Sequence, residues 1–408
     1  MALPPGLALY RAATGALEPL APALLDYRAR RGKEDTGRLP ERLGRASVPR
    51  PSGPLAWLHG ASVGEGLSLL PLVSALRARR PDLTLLVTSG TTTSAELLGR
   101  RLPAGVIHQY APLDTPKSAA RFLDHWRPGL VVLAESELWP NLILGAGDRG
   151  ARLALVSARL SEKSVRGWRR QLDSAKRLFG AFDLVMAQDD ATAAGLAGLG
   201  ARDDGRLNLK LTGEPLPADE TALAQARAAA GARPVFLAAS THPGEETVVL
   251  DAFARLGHGL LVIVPRHPSR GAEIAALAAE RLPVRRQGAG EVFDGAAPVY
   301  VADRLGELGL WFRLAKAAFV GGSLVPGIGG HNPLEPARLG VPAITGPHLE
   351  NWQSVYDALG DRIARVVDAQ ELARAFDAPP SPEPARELAE AGAASVDEAA
   401  VRLAGLVP

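Results

Sequence analysis

From residue 54 onward the chain alternates short, almost uninterrupted apolar runs with amphipathic stretches, and it does so in two series. The first series is PLAWLH (54–59), TLLVTSG (84–90), VIHQYAP (106–112), GLVVLAE (129–135), ARLALVSA (151–158) and DLVMAQ (183–188). Between them lie LSLLPLVSALRARR (67–80), TSAELLGRRL (93–102) and TPKSAARFLDHW (115–126), which read as helices. The second series is PVFLAAS (234–240), LLVIVPRH (260–267), PVYVAD (298–303), AAFVGGS (317–323) and VPAITG (341–346). A strand that is apolar on both faces must be covered on both faces, which is the condition of a parallel sheet wrapped by helices. The expected fold class is therefore α/β, with two doubly wound domains facing a cleft. Ligands then bind at the C-terminal ends of the strands.

The 408-residue length agrees with two domains. A Gly-, Pro- and Ala-containing stretch, LTGEPLPADETALAQARAAAGARP, separates the two series. We place an N-terminal segment at 1–50, a first domain at 51–213 and a second at 214–408, whose last helix packs back on the first. With no cysteine in the chain, disulfides and thiolate metal sites are excluded. No D-x-D, H-E-x-x-H or paired-histidine ligand set indicates a metal. A net charge of +2 and the lack of zinc-finger or RNA-binding signatures imply no nucleic-acid partner.

The N-terminal stretch LALYRAATGALEPLAPALL is apolar but broken by Arg11, Glu18 and two prolines, too short for a span of about 18 uninterrupted apolar residues. It is followed by Arg28, Arg30, Arg31, Lys33, Arg38, Arg42, Arg45 and Arg50. Two readings stand: a solvated arm or packing helix, or an interfacial segment that meets anionic lipid.

Several strand ends carry chemistry. Gly60-Ala61-Ser62-Val63-Gly64 is a G-x-S-x-G, but it follows the first convincing strand, where a serine-hydrolase elbow would have earlier strands beside it. Turn and cap chemistry is the competing role for Ser62. Glu65 falls on the same strand-to-helix turn, either as a base for a hydroxyl or as a negative charge near a helix N-terminus. Glu135 and Glu137 end another strand, and Lys210 lies in what reads as the closing strand of the first half. In the second half Ser240, Thr241 and His242 end one strand, and Pro265, Arg266 and His267 end another, where an arginine can hold a phosphate or carboxylate. The strongest local signal is FVGGSLVPGIGGHNPLEPA (319–337). Its glycine-rich loop, with Gly322, Ser323, Gly330 and His331, enters a helix capped by Asn332, Pro333 and Glu335. The loop is expected to present free backbone N–H groups to a nucleotide or phosphate.

Together HGASVGEG, VTSGTTTSAE, ESELWPNLI, SARLSEKS, LNLK, STHPGEE, VPRHP, LGELGLWF, AFVGGSLV, GGHNPLEPA and GPHLEN, in this order from about residue 55 to 352, resemble the 3-deoxy-D-manno-octulosonic acid (Kdo) transferases of lipopolysaccharide biosynthesis. The resemblance implies a GT-B glycosyltransferase that moves Kdo from CMP-Kdo to a hydroxyl of the lipid A precursor, with inversion and without a metal or other cofactor. It implies Glu65 as general base, with Glu135 and Lys210 stabilising the transition state. CMP contacts would fall on Pro265 and Arg266, on Leu305, Gly306 and Glu307, and on Asn332, Pro333, Leu334 and Glu335. Ser240, Thr241, His242, His267, Gly322, Ser323, Gly330 and His331 would be donor-site neighbours. It also implies attachment to the cytoplasmic face of the bacterial inner membrane, which the broken N-terminal segment makes peripheral or monotopic. After Lys210 this chain reads Leu-Thr-Gly, where relatives often have Phe-Asp. The competing readings are another GT-B transferase, a serine esterase using Ser62, and a non-catalytic lipopolysaccharide- or nucleotide-binding protein.

Overall fold

A computed structural model describes residues 3–213, 215–360 and 363–407. The chain divides into two compact units, Met1–Gly213 with Gly392–Pro408, and Glu214–Ala391.

The first unit is built on β1 (Leu55–His59), β2 (Thr84–Ser89), β3 (Ile107–Tyr110), β4 (Leu130–Ala134), β5 (Arg152–Ala158) and β6 (Leu184–Ala187). These pair in the order β3-β2-β1-β4-β5-β6, every pair parallel. Successive side chains of β1 go to opposite faces. Leu55 and Trp57 join Phe122, Trp126, Leu142, Ile143, Leu178 and Phe179 on one face. Ala56 and Leu58 join Leu72, Val73 and Leu76 on the other. That second face is completed by Val396, Ala399, Ala400 and Leu403 of the last helix, Glu383–Leu406. The helix read over 67–80 breaks into Val63–Ser68 and Leu70–Arg79. Pro71 sits in the first turn of the second piece, where its missing N–H costs nothing.

The N-terminal helices Pro5–Leu17 and Ala21–Ala29 belong to this unit, the first packing on helices Pro116–Trp126, Pro140–Gly147 and Leu172–Phe179. Buried Glu18 accepts from the Lys117 N–H at 3.2 Å. Part of the basic run is tied down: Arg28 pairs with Glu34 at 2.7 Å, Arg42 with Glu34 at 3.3 Å, and Arg38 with Glu41 at 2.9 Å. Leu9, Leu17, Leu20, Leu24 and Tyr27 nevertheless stay exposed. Among the described residues no helix is long and apolar enough to cross a membrane.

The second unit holds β7 (Val235–Thr241), β8 (Leu260–Pro265), β9 (Val284–Arg286), β10 (Val299–Val301), β11 (Ala317–Val320), β12 (Ala343–Thr345) and β13 (Ala364–Arg365). Their order is β13-β12-β11-β7-β8-β10-β9, again all parallel. Phe236, Ala238, Ile263, Phe319 and Ile344 face helices Glu245–Leu256, Gly271–Ala279 and Ala369–Asp377. Leu237, Ala239, Val262 and Tyr300 face helices Glu220–Ala230 and Leu308–Leu314. The edge strands β9 and β13 escape sequence reading because they are three and two residues long and carry no apolar run.

Candidate functional site

In an open parallel sheet, a crevice opens where the strand order reverses direction, because the two loops that follow the flanking strands run to opposite sides. The first sheet reverses between β1 and β4, the second between β7 and β11.

At the first reversal, the turn after β1 carries Ser62 and Glu65. Ser62 is the N-cap of helix Val63–Ser68, and the two residues form a reciprocal capping box. Glu65 accepts from the Ala61 N–H at 2.7 Å and from the Ser62 hydroxyl at 3.0 Å. The serine hydroxyl is thus engaged with Glu65 and not with a histidine base. Gly60 permits this tight turn, since a Cβ there would lie 2.9 Å from the Glu65 carbonyl carbon.

The loop after β4 begins with Glu135, a non-glycine residue at φ 55°. Such a left-handed conformation costs about 1–3 kcal/mol and persists only where its surroundings enforce it. Its carboxylate lies 3.6 Å from Lys210 Nζ. Burial pushes the Glu135 pKa up; Lys210 and Arg159 pull it down, and nearby Glu65 pushes it up again. Lys210 does not lie in a closing strand. It sits on a single helical turn, Leu209–Leu211, whose N-cap Asn208 accepts the Lys210 N–H at 3.0 Å. That turn is anchored from below by buried Leu209 and by Ser157, whose hydroxyl accepts the Leu209 N–H at 3.1 Å. It is also crowded by the last helix: a Cβ on Gly392 would fall 2.5 Å from Leu211 Cβ. The other carboxylate of this loop, Glu137, is 3.3 Å from His59 Nε2 and accepts from Trp139 Nε1 at 2.6 Å.

At the second reversal, Ser240, Thr241 and His242 follow from β7, and Gly322 and Ser323 from β11. Ser240 is left-handed at φ 56°. Here the structure corrects the sequence reading. The N–H groups of Gly322, Ser323 and Leu324 do not stand free; they donate to Glu245 at 2.8, 2.9 and 3.0 Å, as does the His242 N–H at 2.9 Å. Glu245 is fully buried, so the chain supplies its own anion to this nest. The loop's long-range partner, 77 residues away, left no local signal. The helix after the loop is also displaced. It runs only over Leu334–Ala337 with Pro333 at the N-cap, and Asn332 Oδ1 accepts the Leu334 N–H at 3.0 Å. Proline has no donor to continue the turn backwards, so Asn332 acts one residue outside the expected cap.

Two histidines that are 89 residues apart meet here, His242 Nε2 and His331 Nε2 lying at 2.8 Å with stacked rings. Burial first, and then His242, Arg266 and His267, push the His331 pKa down to about 4. Burial also lowers that of His242, with His267 and Arg266 adding to it against the pull of Glu245. The exposed cation of the cluster is therefore Arg266, on the loop that follows buried Pro265 and precedes His267. Gly330 closes the loop by donating to the Gly322 carbonyl at 2.7 Å. Farther along the edge, Leu305 is 79% exposed, Gly306 is left-handed at φ 90°, and Glu307 accepts from Gln287 at 2.7 Å. Among the described residues no group of three or more His, Asp or Glu is placed to hold a metal.

The family model for 3-deoxy-D-manno-octulosonic-acid transferase (Kdo transferase) matches residues 37–213, which include Glu65, Glu135 and Lys210. The probable mitochondrial 3-deoxy-D-manno-octulosonic acid transferase of Arabidopsis thaliana is 34% identical over 395 residues, 90% of this chain and 87% of that protein. This chain belongs to the Kdo transferase family. The Kdo transferase of Bordetella pertussis is 36% identical over 377 residues, 86% of this chain and 85% of its own. In fold alone, the chain resembles the UDP-GlcNAc 2-epimerase of Neisseria meningitidis, with a TM-score of 0.55 at 12% identity, covering 86% of this chain and 99% of that one. The pair of Rossmann-like units is thus of GT-B type. Kdo transferases are glycosyltransferases, so an esterase or a purely binding protein is set aside.

Proposed function

We propose that the protein is an inverting transferase that moves Kdo from CMP-Kdo to a hydroxyl of the lipid A precursor in lipopolysaccharide biosynthesis. The observation that carries this reading is the convergence of Glu65, Glu135 and Lys210 from three separate segments onto one sheet reversal. Glu65 is held by backbone donors at the C-terminal edge of the sheet and serves as the general base. The acceptor oxygen bonds to the anomeric carbon of Kdo while the bond from that carbon to the CMP phosphate oxygen breaks, and the hydroxyl proton passes to Glu65. Glu135 and Lys210, an anion and a cation side by side, stabilise the charge that develops on the sugar and on its carboxylate.

The second unit takes the donor. Arg266 is the cation for its phosphate, with Pro265, Leu305, Gly306, Glu307, Asn332, Pro333, Leu334 and Glu335 around the nucleotide. Ser240, Thr241, His242, His267, Gly322, Ser323, Gly330 and His331 shape the surrounding loops. The exposed leucines and Tyr27 of the N-terminal helices, with nearby Arg30, Arg31 and Lys33, support a monotopic or peripheral contact with the cytoplasmic face of the bacterial inner membrane.

The test is Kdo transfer from CMP-Kdo generated in situ to a lipid A precursor, using wild type, Glu65→Gln and Ser62→Ala. Glutamine keeps the capping acceptor but cannot take a proton, so its loss of product isolates the base. Wild type without product would sink the acceptor assignment, and an inactive Ser62→Ala beside an active Glu65→Gln would sink the base assignment.

A further inference from the structure

Glu137, His59 and Trp139 take no part in the chemistry above, yet they form a continuous polar chain at the first sheet reversal. Trp57 Nε1 donates to Thr88 Oγ1 at 2.8 Å, and Thr88 Oγ1 lies 2.8 Å from His59 Nδ1. His59 Nε2 is 3.3 Å from Glu137, and Glu137 accepts from Trp139 Nε1 at 2.6 Å. His59 Nδ1 also lies 3.2 Å from the Thr88 carbonyl, so that nitrogen faces two oxygens of one residue while Nε2 and the indole N–H both face the Glu137 carboxylate. Thr88 and His59 are buried, while the chain ends on an indole that is 38% exposed.

A solvent-facing tryptophan has water for its N–H and needs no buried scaffold. Here a histidine and a carboxylate, both costly to bury, are spent on fixing the plane of one exposed ring. Burial pushes the Glu137 pKa up, but the His59 hydrogen bond and charge, together with Trp139, bring it below the usual carboxylate range, so the anchor stays anionic. The ring also sits four residues after Glu135, at the start of helix Pro140–Gly147, where Pro140 restricts the backbone behind it. It lies on the loop after β4, which also carries Glu135, and through Glu137 and His59 it is tied to the end of β1, whose turn carries Glu65. A flat, rigid, amphipathic surface beside a hydroxyl-activating carboxylate fits one ligand chemistry: the C–H face of a pyranose ring, with its hydroxyls pointing to the polar rim.

We propose that Trp139 is the stacking platform for the acceptor sugar, and that Glu137 and His59 are positioning residues that hold its plane. This rests on the reading of the first unit as the acceptor side of a sugar transferase. The platform orients the ring so that one hydroxyl meets Glu65, which makes it a determinant of acceptor binding and not of donor binding.

The experiment varies donor and acceptor separately in steady-state transfer by the full chain, comparing wild type with Trp139→Leu, Trp139→Phe and Glu137→Ala. Trp139→Leu is expected to raise the acceptor KM roughly tenfold or more while the donor KM stays within about twofold. Trp139→Phe, which keeps a ring, should recover most of the loss, and Glu137→Ala should fall between. An unchanged acceptor KM in Trp139→Leu, or an equal rise in both KM values, overturns the proposal. Saturation-transfer NMR with a soluble phosphorylated glucosamine disaccharide gives a readout that needs no turnover. If wild type transfers no Kdo but binds the disaccharide and Trp139→Leu does not, the platform stands although the proposed reaction falls. If neither binds it, or if Trp139→Leu loses only affinity for anionic lipid vesicles, the ring is no sugar platform.

Discussion

The two units place a glutamate at nearly the same point: HGASVGE in the first and STHPGEE in the second, each at the start of the helix after its unit's first strand. Glu65 and Glu245 each accept backbone N–H groups from their own turn. Glu65 remains partly open. Glu245 is enclosed, because the glycine-rich loop after β11 folds over it and donates three further N–H groups. The same local motif is thus a candidate catalyst in one unit and an internal counter-anion in the other. What decides between them is the neighbouring strand's loop: Glu135 brings a second carboxyl to the first glutamate, whereas Gly322 and Ser323 bring only amides to the second. A glutamate's position at a helix start does not define its role; the groups that arrive from elsewhere in the chain do.

That contrast can be broken in several ways. Glu65→Gln should lower kcat by roughly 10²–10⁴-fold with the thermal midpoint little changed, since the amide oxygen still caps the turn. A transfer assay beside a melting curve checks both halves. Glu245→Ala should do the reverse. Four backbone donors lose their buried partner, so unfolding in urea should show about 3–5 kcal/mol less stability, with the donor KM rising as the loop loosens. Lys210→Met removes the cation that opposes burial at Glu135. The Glu135 pKa then rises, and the acid limb of the kcat–pH profile should move to higher pH with kcat down about tenfold or more.

Acidification separates the units further. The His331 pKa is lowered in the fold to about 4, so between its ordinary value near 6.5 and about 4 the unfolded chain binds the extra proton. Stability present above pH 6.5 is therefore lost as pH falls through that window, and His331→Phe should flatten the dependence of the melting midpoint on pH. The smallest effect is at Ser62. Ser62→Ala gives up an N-cap worth about 1 kcal/mol and should retain most of its activity.

The strands of both sheets, apart from the short edge strands β9 and β13, were legible because buried parallel strands are written as local apolar runs, such as GLVVLAE and LLVIVP. The motif around Glu65 was legible for the same reason: its partners, Ala61 and Ser62, are its immediate neighbours. What local pattern does not carry is long-range pairing. Lys210 lies on a turn fixed by Ser157, so the apolar residues around it imitated a strand. The glycine-rich loop looked empty because its ligand, Glu245, lies far upstream. His242 and His331 carry no mark of each other, and the left-handed backbone of Glu135 is imposed by packing that no window of sequence contains.

The last helix has a consequence for biosynthesis. Val396, Ala399, Ala400 and Leu403 complete one face of a sheet whose first strand begins at Leu55, with the whole second unit translated between them. The first unit is a discontinuous domain. On the ribosome, it emerges with that face uncovered, against Ala56, Leu58 and Val132, and stays so until the second unit has been made. The second unit, encoded as one continuous stretch, has no such wait. Vectorial synthesis therefore finishes the second unit before the first, although the first begins earlier in the chain.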